Sequence, residues 1–160
     1  MTSYSLRRGA HFKGPVRRGV VGAARDLWNE LDSIYSELDY RAMASLYAID
    51  AVHIDAAGRH EGRDAIGAYM EEADKPNSDI SMETTQVIEE GNMVVAEWVY
   101  RATNTRPIPM PDGTEIPATH KAVELPGVSV LSVKDGKITS QRDYFDNASV
   151  MSQLGLMPGT

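Results

Sequence analysis

Residues 136–146 read GKITSQRDYFD. With Lys134 and Asp135 ahead of it, this stretch opens on an Asp-Gly turn, a strong short-range signal for a two-residue hairpin. A strand is expected to follow, from about Ile138 to Phe145, and it carries a carboxylate, Asp143, between Arg142 and Tyr144. Neighbours on a strand point to opposite faces, so Arg142 and Asp143 do not pair side by side. Alternation puts Thr139, Gln141, Asp143 and Phe145 on one face. It does not say whether that face meets water or a cavity.

The chain outward from the turn sets the context. His120 to Val133 is strand-like, with a bulge or bend expected at Pro126-Gly127. Thr105 to Ala118 holds four prolines and reads as a long hairpin tip or loop. Met93 to Thr103 and Ser81 to Glu89 alternate as strands around a Gly91-Asn92 turn. Before Asn77 the period is helical. Val20 to Leu38 puts Ala24, Leu27, Trp28, Leu31 and Tyr35 on one face, and Asp39 is placed to cap a second helix, Tyr40 to Tyr47. AVHID (51–55) is a short strand, His60 and Glu61 fall in a glycine-flanked loop, and Arg63 to Ala73 is a third helix. Ala148 to Leu154 adds a last helical turn or two. Helices followed by a run of antiparallel strands mean α+β. Three N-terminal helices on one face of a curved sheet would enclose an apolar pocket.

Composition narrows the function classes. The length of 160 residues fits one domain. The absence of cysteine excludes disulfides, thiolate metal sites and a cysteine nucleophile, and is compatible with the cytoplasm, the expected location. No apolar run approaches the roughly 18 residues of a membrane span, and no secretory leader is visible. The net charge of −7 hides an asymmetry: residues 1–20 hold five basic residues and no acid, leaving −12 on the rest. Residues 1–19 read as a basic, flexible or dimer-packing arm, 20–156 as the folded domain and 157–160 as a tail. An acidic body argues against a nucleic-acid partner.

His53 and Asp55 share a face of AVHID, while Val52 and Ile54 share the other, and either face could be the inner one. These two potential ligands lack a third at a recognisable spacing, so no metal is expected. No phosphate loop, nucleophile elbow or dinucleotide fingerprint appears, and no cofactor is expected. Trp98 and Tyr100 share a strand face and suit a core or a pocket wall. His120 is a strand histidine without a partner readable from sequence.

The order of elements, with LYAIDAVHIDAAGRHEGRDAIGAYM (46–70) and PGVSVLSVKDGKITSQRDYFD (126–146), resembles the NTF2-like superfamily. Within it the chain looks like the SnoaL-like polyketide cyclases and the limonene-epoxide hydrolases, over about Val20 to Leu156. The resemblance implies a cone of three helices on a mixed, mostly antiparallel sheet. The acid of the RDYFD-type strand is catalytic in those epoxide hydrolases, which implies Asp143 here. Their water-holding pair on the first strand matches His53 and Asp55. Their catalytic Arg and second Asp are replaced by Trp98 and Tyr100. Ketosteroid isomerases share the fold, and their general base matches Asp55, but their oxyanion-hole positions fall at Leu31 and near Val128. SnoaL-like cyclases use a last-strand acid with nearby histidines, a pattern that Asp143 and His53 fit, with His120 a candidate second histidine.

The implied chemistry is proton transfer without a cofactor. Burial and a second carboxylate both raise a carboxyl pKa, toward a group able to give or take a proton. Such transfer contributes roughly 10² to 10⁴ in rate. Asp143 is expected as principal acid/base, with His53 and Asp55 as its partners and Trp98, Tyr100, His120 and Phe145 lining the pocket. Tyr100 would hydrogen-bond a substrate carbonyl. The substrate would be a small apolar oxygenated molecule, and cyclisation, isomerisation, dehydration or epoxide opening would all fit. The other expectation is a domain that binds a small ligand and catalyses nothing. In either case a homodimer through the sheet is expected.

Overall fold

Asp135 and Gly136 take φ of 51° and 71°. Two consecutive left-handed residues are the type I′ geometry whose twist matches that of paired strands. The strands they join are β7 (Ala122–Lys134) and β8 (Lys137–Phe145). Ahead of them come α1 (Ala23–Tyr35), α2 (Tyr40–Ser45), β1 (Tyr47–Asp55), β2 (Gly58–Glu61), α3 (Arg63–Asp74), β3 (Asn77–Glu90) and β4 (Met93–Asn104), then the two-residue strands β5 (Ile108–Pro109) and β6 (Glu115–Ile116). Helix α4 (Asn147–Leu154) follows β8. The computed structural model describes residues 22–110 and 112–157, so the expected basic arm 1–19 and most of the expected tail lie outside the described residues.

Six strands form one mixed sheet in the order β2-β1-β8-β7-β4-β3. Every pair is antiparallel except β1 with β8. Helix α1 packs on β3 and β4, α3 on β1 and β2, and α2 on α3 and α1. The count of three helices needs correction: four are present among the described residues, and the fourth, α4, packs on β7. Between helices and sheet lies a core that includes Trp28, Leu31, Tyr47, Ile66, Val94, Leu131 and Ile138.

Local signals account for several boundaries. The Asp39 side chain accepts from Ala42 N at 2.9 Å and caps α2. Helix α2 nevertheless stops at Ser45, short of the Tyr47 that sequence spacing suggests. Tyr47 lies four residues after Met43, so it fits a helical face as well as a strand. The chain instead enters β1 there, with Tyr47 beside Ile138 of β8 and fully buried. His60 and Glu61, expected in a loop, form part of β2.

Pro126-Gly127 makes no bulge. The β4–β7 ladder runs through it in register, Val99 opposite Pro126 and Trp98 opposite Gly127. Strand β8 ends at Phe145, opposite Gly127, so Pro126 sits where β7 has lost one neighbour and its missing N–H is tolerated. The irregularity falls at Thr139 instead. The β7–β8 register shifts between Val133, opposite Ile138, and Ser132, opposite Ser140. This one-residue slip breaks the alternation on β8. Ile138 and Gln141 are both buried although three residues apart, whereas simple alternation puts them on opposite faces.

Candidate active site

Five polar residues are buried among the described ones: His53, Asp74, Asn104, Ser129 and Gln141. Asn104 is structural, since its amide donates to the carbonyls of Pro76 and Arg106 and accepts from Thr119 N. The other four line one cavity of about 320 Å³ between helices and sheet.

Asp143 is the hub at one end of it. Beyond the Thr139 bulge, Ser129 of β7 lies directly opposite Asp143, and His53 of β1 lies opposite Gln141. His53 Nε2 is 2.8 Å from Asp143 Oδ2. Ser129 Oγ donates to Oδ1 at 2.6 Å. The Gln141 amide spans both carboxyl oxygens, at 2.9 Å and 3.0 Å. An outer layer fixes these donors. Trp98 Nε1 donates to Ser129 Oγ at 2.9 Å, and the Tyr47 hydroxyl donates to Gln141 Oε1 at 2.5 Å. His53 is only 2% exposed and the Asp143 side chain 15% exposed, so the carboxylate is the more accessible member of the pair. With Asp143 ionised, Nε2 of His53 carries the proton. His53 Nδ1 is then buried without a hydrogen-bond partner.

AVHID therefore turns His53 and Asp55 inward, and the half-buried Val52 and Ile54 face the other way. Asp55 is engaged locally. Its Oδ1 accepts from Ala57 N and Gly58 N at 2.8 Å and 3.2 Å, and the Tyr69 hydroxyl donates to its Oδ2. Asp55 lines the cavity, but its polar contacts are with this loop and Tyr69, not with His53 or Asp143. His60 stacks on Tyr69 with ring centroids 3.7 Å apart, and burial lowers its pKa, with Asp55 opposing.

Trp98 and Phe145 line the cavity, rings tilted at 54° and 6.4 Å apart. The Trp98 ring lies over Gly127, where a Cβ would come within 2.2 Å of it. Tyr100 also lines the cavity, but its proton is committed. Its hydroxyl donates to Asp74 Oδ1 at 3.0 Å and accepts from Asn77 Nδ2 at 3.3 Å. It therefore has no proton to offer a carbonyl. His120 needs correction. It is exposed, precedes β7 at φ 55°, and is absent from the lining, because the chain turns there to bond its N–H to Asn104 O.

Sequence reading missed Asp74, at the C-terminal end of α3. The hydroxyls of Tyr35 and Tyr40 donate to its Oδ2 at 2.7 Å and 3.0 Å, and that of Tyr100 donates to Oδ1. Burial raises the Asp74 pKa, while the three tyrosines pull it down. Its helical position, with glutamates at 71 and 72, gave no signal. Ser129 was missed because its register depends on the bulge. Gln141 was detectable, two residues from Asp143 on its strand.

The fold is α+β and ketosteroid isomerase-like, with a polar-ended cavity under a mixed sheet. The chain belongs to the SnoaL-like domain family, whose model matches residues 25–141. No protein of curated function matches it in sequence. Solved structures are similar in fold. One is a protein of ketosteroid isomerase-like fold from Catenulispora acidiphila, in complex with trimethylamine: 22% identity, TM-score 0.69, 82% of this chain and 94% of that one. TsrD from Streptomyces laurentii is 19% identical, with TM-score 0.72, over 86% and 98%. A protein from Jannaschia sp. CCS1, assigned as a SnoaL-like polyketide cyclase, is 16% identical, with TM-score 0.74, over 93% and 100%.

Proposed function

We propose that this chain is a cofactor-independent acid–base enzyme, acting on a small apolar oxygenated molecule of polyketide or terpenoid type, with Asp143 as the proton-transferring group. The observation that carries this reading is the Asp143–His53 pair, 2.8 Å apart at the wall of an apolar cavity. In such a reaction Asp143 takes a proton from a substrate carbon or hydroxyl and returns it to a second atom. His53 Nε2–H and Ser129 Oγ–H hold the carboxyl in place. The Gln141 amide, shared between both oxygens, is the donor that gives way. Cyclisation, isomerisation and dehydration fit this one-group transfer. Epoxide opening by an Arg–Asp pair does not, since Trp98 and Tyr100 occupy those positions and both are hydrogen-bonded inward.

Asp143→Asn tests the assignment, since it keeps the shape and removes the base. On a substrate found by screening polyketide and terpenoid ketones, turnover is expected to fall by at least roughly 10², within the range of positioned proton transfer. Circular dichroism is expected to be unchanged. Turnover within about tenfold of wild type would remove Asp143 from the role.

One observation favours a second reading, a domain that binds a small ligand without turning it over. The Asp143 oxygens already carry four contacts, about the full acceptor capacity of a carboxylate. A folded protein that binds the screened ketones and converts none of them would favour it.

A further inference from the structure

A count of hydrogen-bond donors in the cavity says what its occupant must bring. The hydroxyl protons of Tyr35, Tyr40 and Tyr100 go to Asp74, that of Tyr69 to Asp55 and that of Ser129 to Asp143. The Trp98 N–H goes to Ser129, and the Gln141 amide goes to Asp143. These donors end on three carboxylates, that of Trp98 by way of Ser129; the amides of Asn77 and Asn147 are further lining donors, and no Lys or Arg is among the lining residues. With Asp143 already carrying four contacts, the acceptor capacity that remains open on the carboxylates is at Asp74 and Asp55, each with three. A carboxylate or phosphate ligand would meet like charge and few free protons. A ligand that brings its own N–H groups and a positive charge meets the opposite.

Asp74 is where that charge fits. It is 8% exposed, lines the cavity and has no cationic partner within 4.0 Å among the described residues. Three of its roughly four acceptor sites are filled by tyrosines, which leaves one on Oδ1. An unpaired buried carboxylate is costly, and a counter-ion supplied by the ligand offsets that cost.

We infer that the Asp74 end of the cavity is a subsite for a primary ammonium group, so that the ligand is an apolar body bearing a basic amine and no acid. This rests on the cavity being the substrate site and narrows its substrate class.

Three near-isosteric probes test it by calorimetry on the whole chain at neutral pH: benzylammonium, benzyl alcohol and benzoate. Benzylammonium is expected to bind at least about tenfold more tightly than benzyl alcohol, the scale of one charge-assisted hydrogen bond, with benzoate not binding. Asp74→Asn is expected to remove that preference and to leave benzyl alcohol within about threefold. Tyr100→Phe frees a second acceptor site on Oδ1 and keeps the tyrosine pair on Oδ2. It is expected to retain or strengthen the preference, and it serves if Asp74→Asn does not fold. Equal binding of all three probes, tighter binding of benzoate, a preference that survives Asp74→Asn, or one lost in Tyr100→Phe would each overturn the subsite. Asp143→Asn separates this from the catalytic reading. Turnover lost with the ammonium preference intact supports both. An absent preference in a wild-type protein whose turnover depends on Asp143 sinks the subsite alone. An intact preference with turnover indifferent to Asp143 sinks the catalytic assignment alone.

Discussion

Ser129 Oγ accepts a hydrogen bond from the Trp98 N–H and donates one to Asp143, so one hydroxyl links the cavity wall to the carboxylate. Ser129→Ala therefore removes a donor from Asp143 and orphans a buried indole N–H. The expected cost is about 1–3 kcal/mol of stability, the desolvation penalty of an unpaired buried donor, read from a urea melt. Under the proposed function, kcat is also expected to fall while KM changes little. A melt unchanged from wild type would show that Trp98 had found another partner. Asp74 carries a pH prediction. Burial raises its folded pKa, so the folded state holds this proton more tightly than the unfolded chain. Its contribution to stability is thus fully present below the unfolded value of about 3.9 and is lost as pH rises through the raised folded value. The Tm of wild type minus that of Asp74→Asn is expected to fall as pH rises above about 4. A difference that stayed flat or rose would contradict the raised value.

At the scale of elements, the close approach of β4 and β7 decides the cavity wall. Gly127 lets the Trp98 ring lie on the backbone, and a Cβ there would sit within 2.2 Å of the ring. Gly127→Ala is expected to displace Trp98, to cost about 1–3 kcal/mol as overpacking does, and to change the tryptophan fluorescence. An unshifted spectrum with full stability would mean that the ring relaxes freely. Several elements were legible in advance for local reasons: the Asp39 cap, the left-handed Asp135-Gly136 turn, the helical faces of α1 and α3. The error at Pro126-Gly127 is instructive. Glycine followed its side-chain neighbour, and proline followed the end of β8; neither cause is local.

At the scale of the molecule, among the described residues the sheet has one face under the helices and one without them. Tyr144 is 58% exposed on β8, next to Asp143 and pointing away from the cavity. We propose that this outer face joins two copies of the chain. Tyr144→Glu is expected to shift sedimentation from dimer to monomer, with the fold retained. A wild-type protein that sediments as a monomer at micromolar concentration would remove the proposal. Among the described residues no helix is long and apolar enough to cross a membrane.

The sequence by itself determined the class of fold, the turn into β8, the inclusion of an acid in that strand and the histidine two residues before another acid in β1. These rest on period, capping and turn chemistry, which act over a few residues. Only the tertiary structure decided what Asp143 touches. Counted straight from the Asp-Gly turn, Ser129 falls opposite Arg142. The one-residue slip at Thr139 moves it opposite Asp143 and brings Gln141 into the core. Side chains alternate with period two, so a single inserted residue exchanges the faces beyond it. Likewise Asp74 gathers tyrosines from α1, α2 and β4, whose meeting depends on packing between segments distant in the chain.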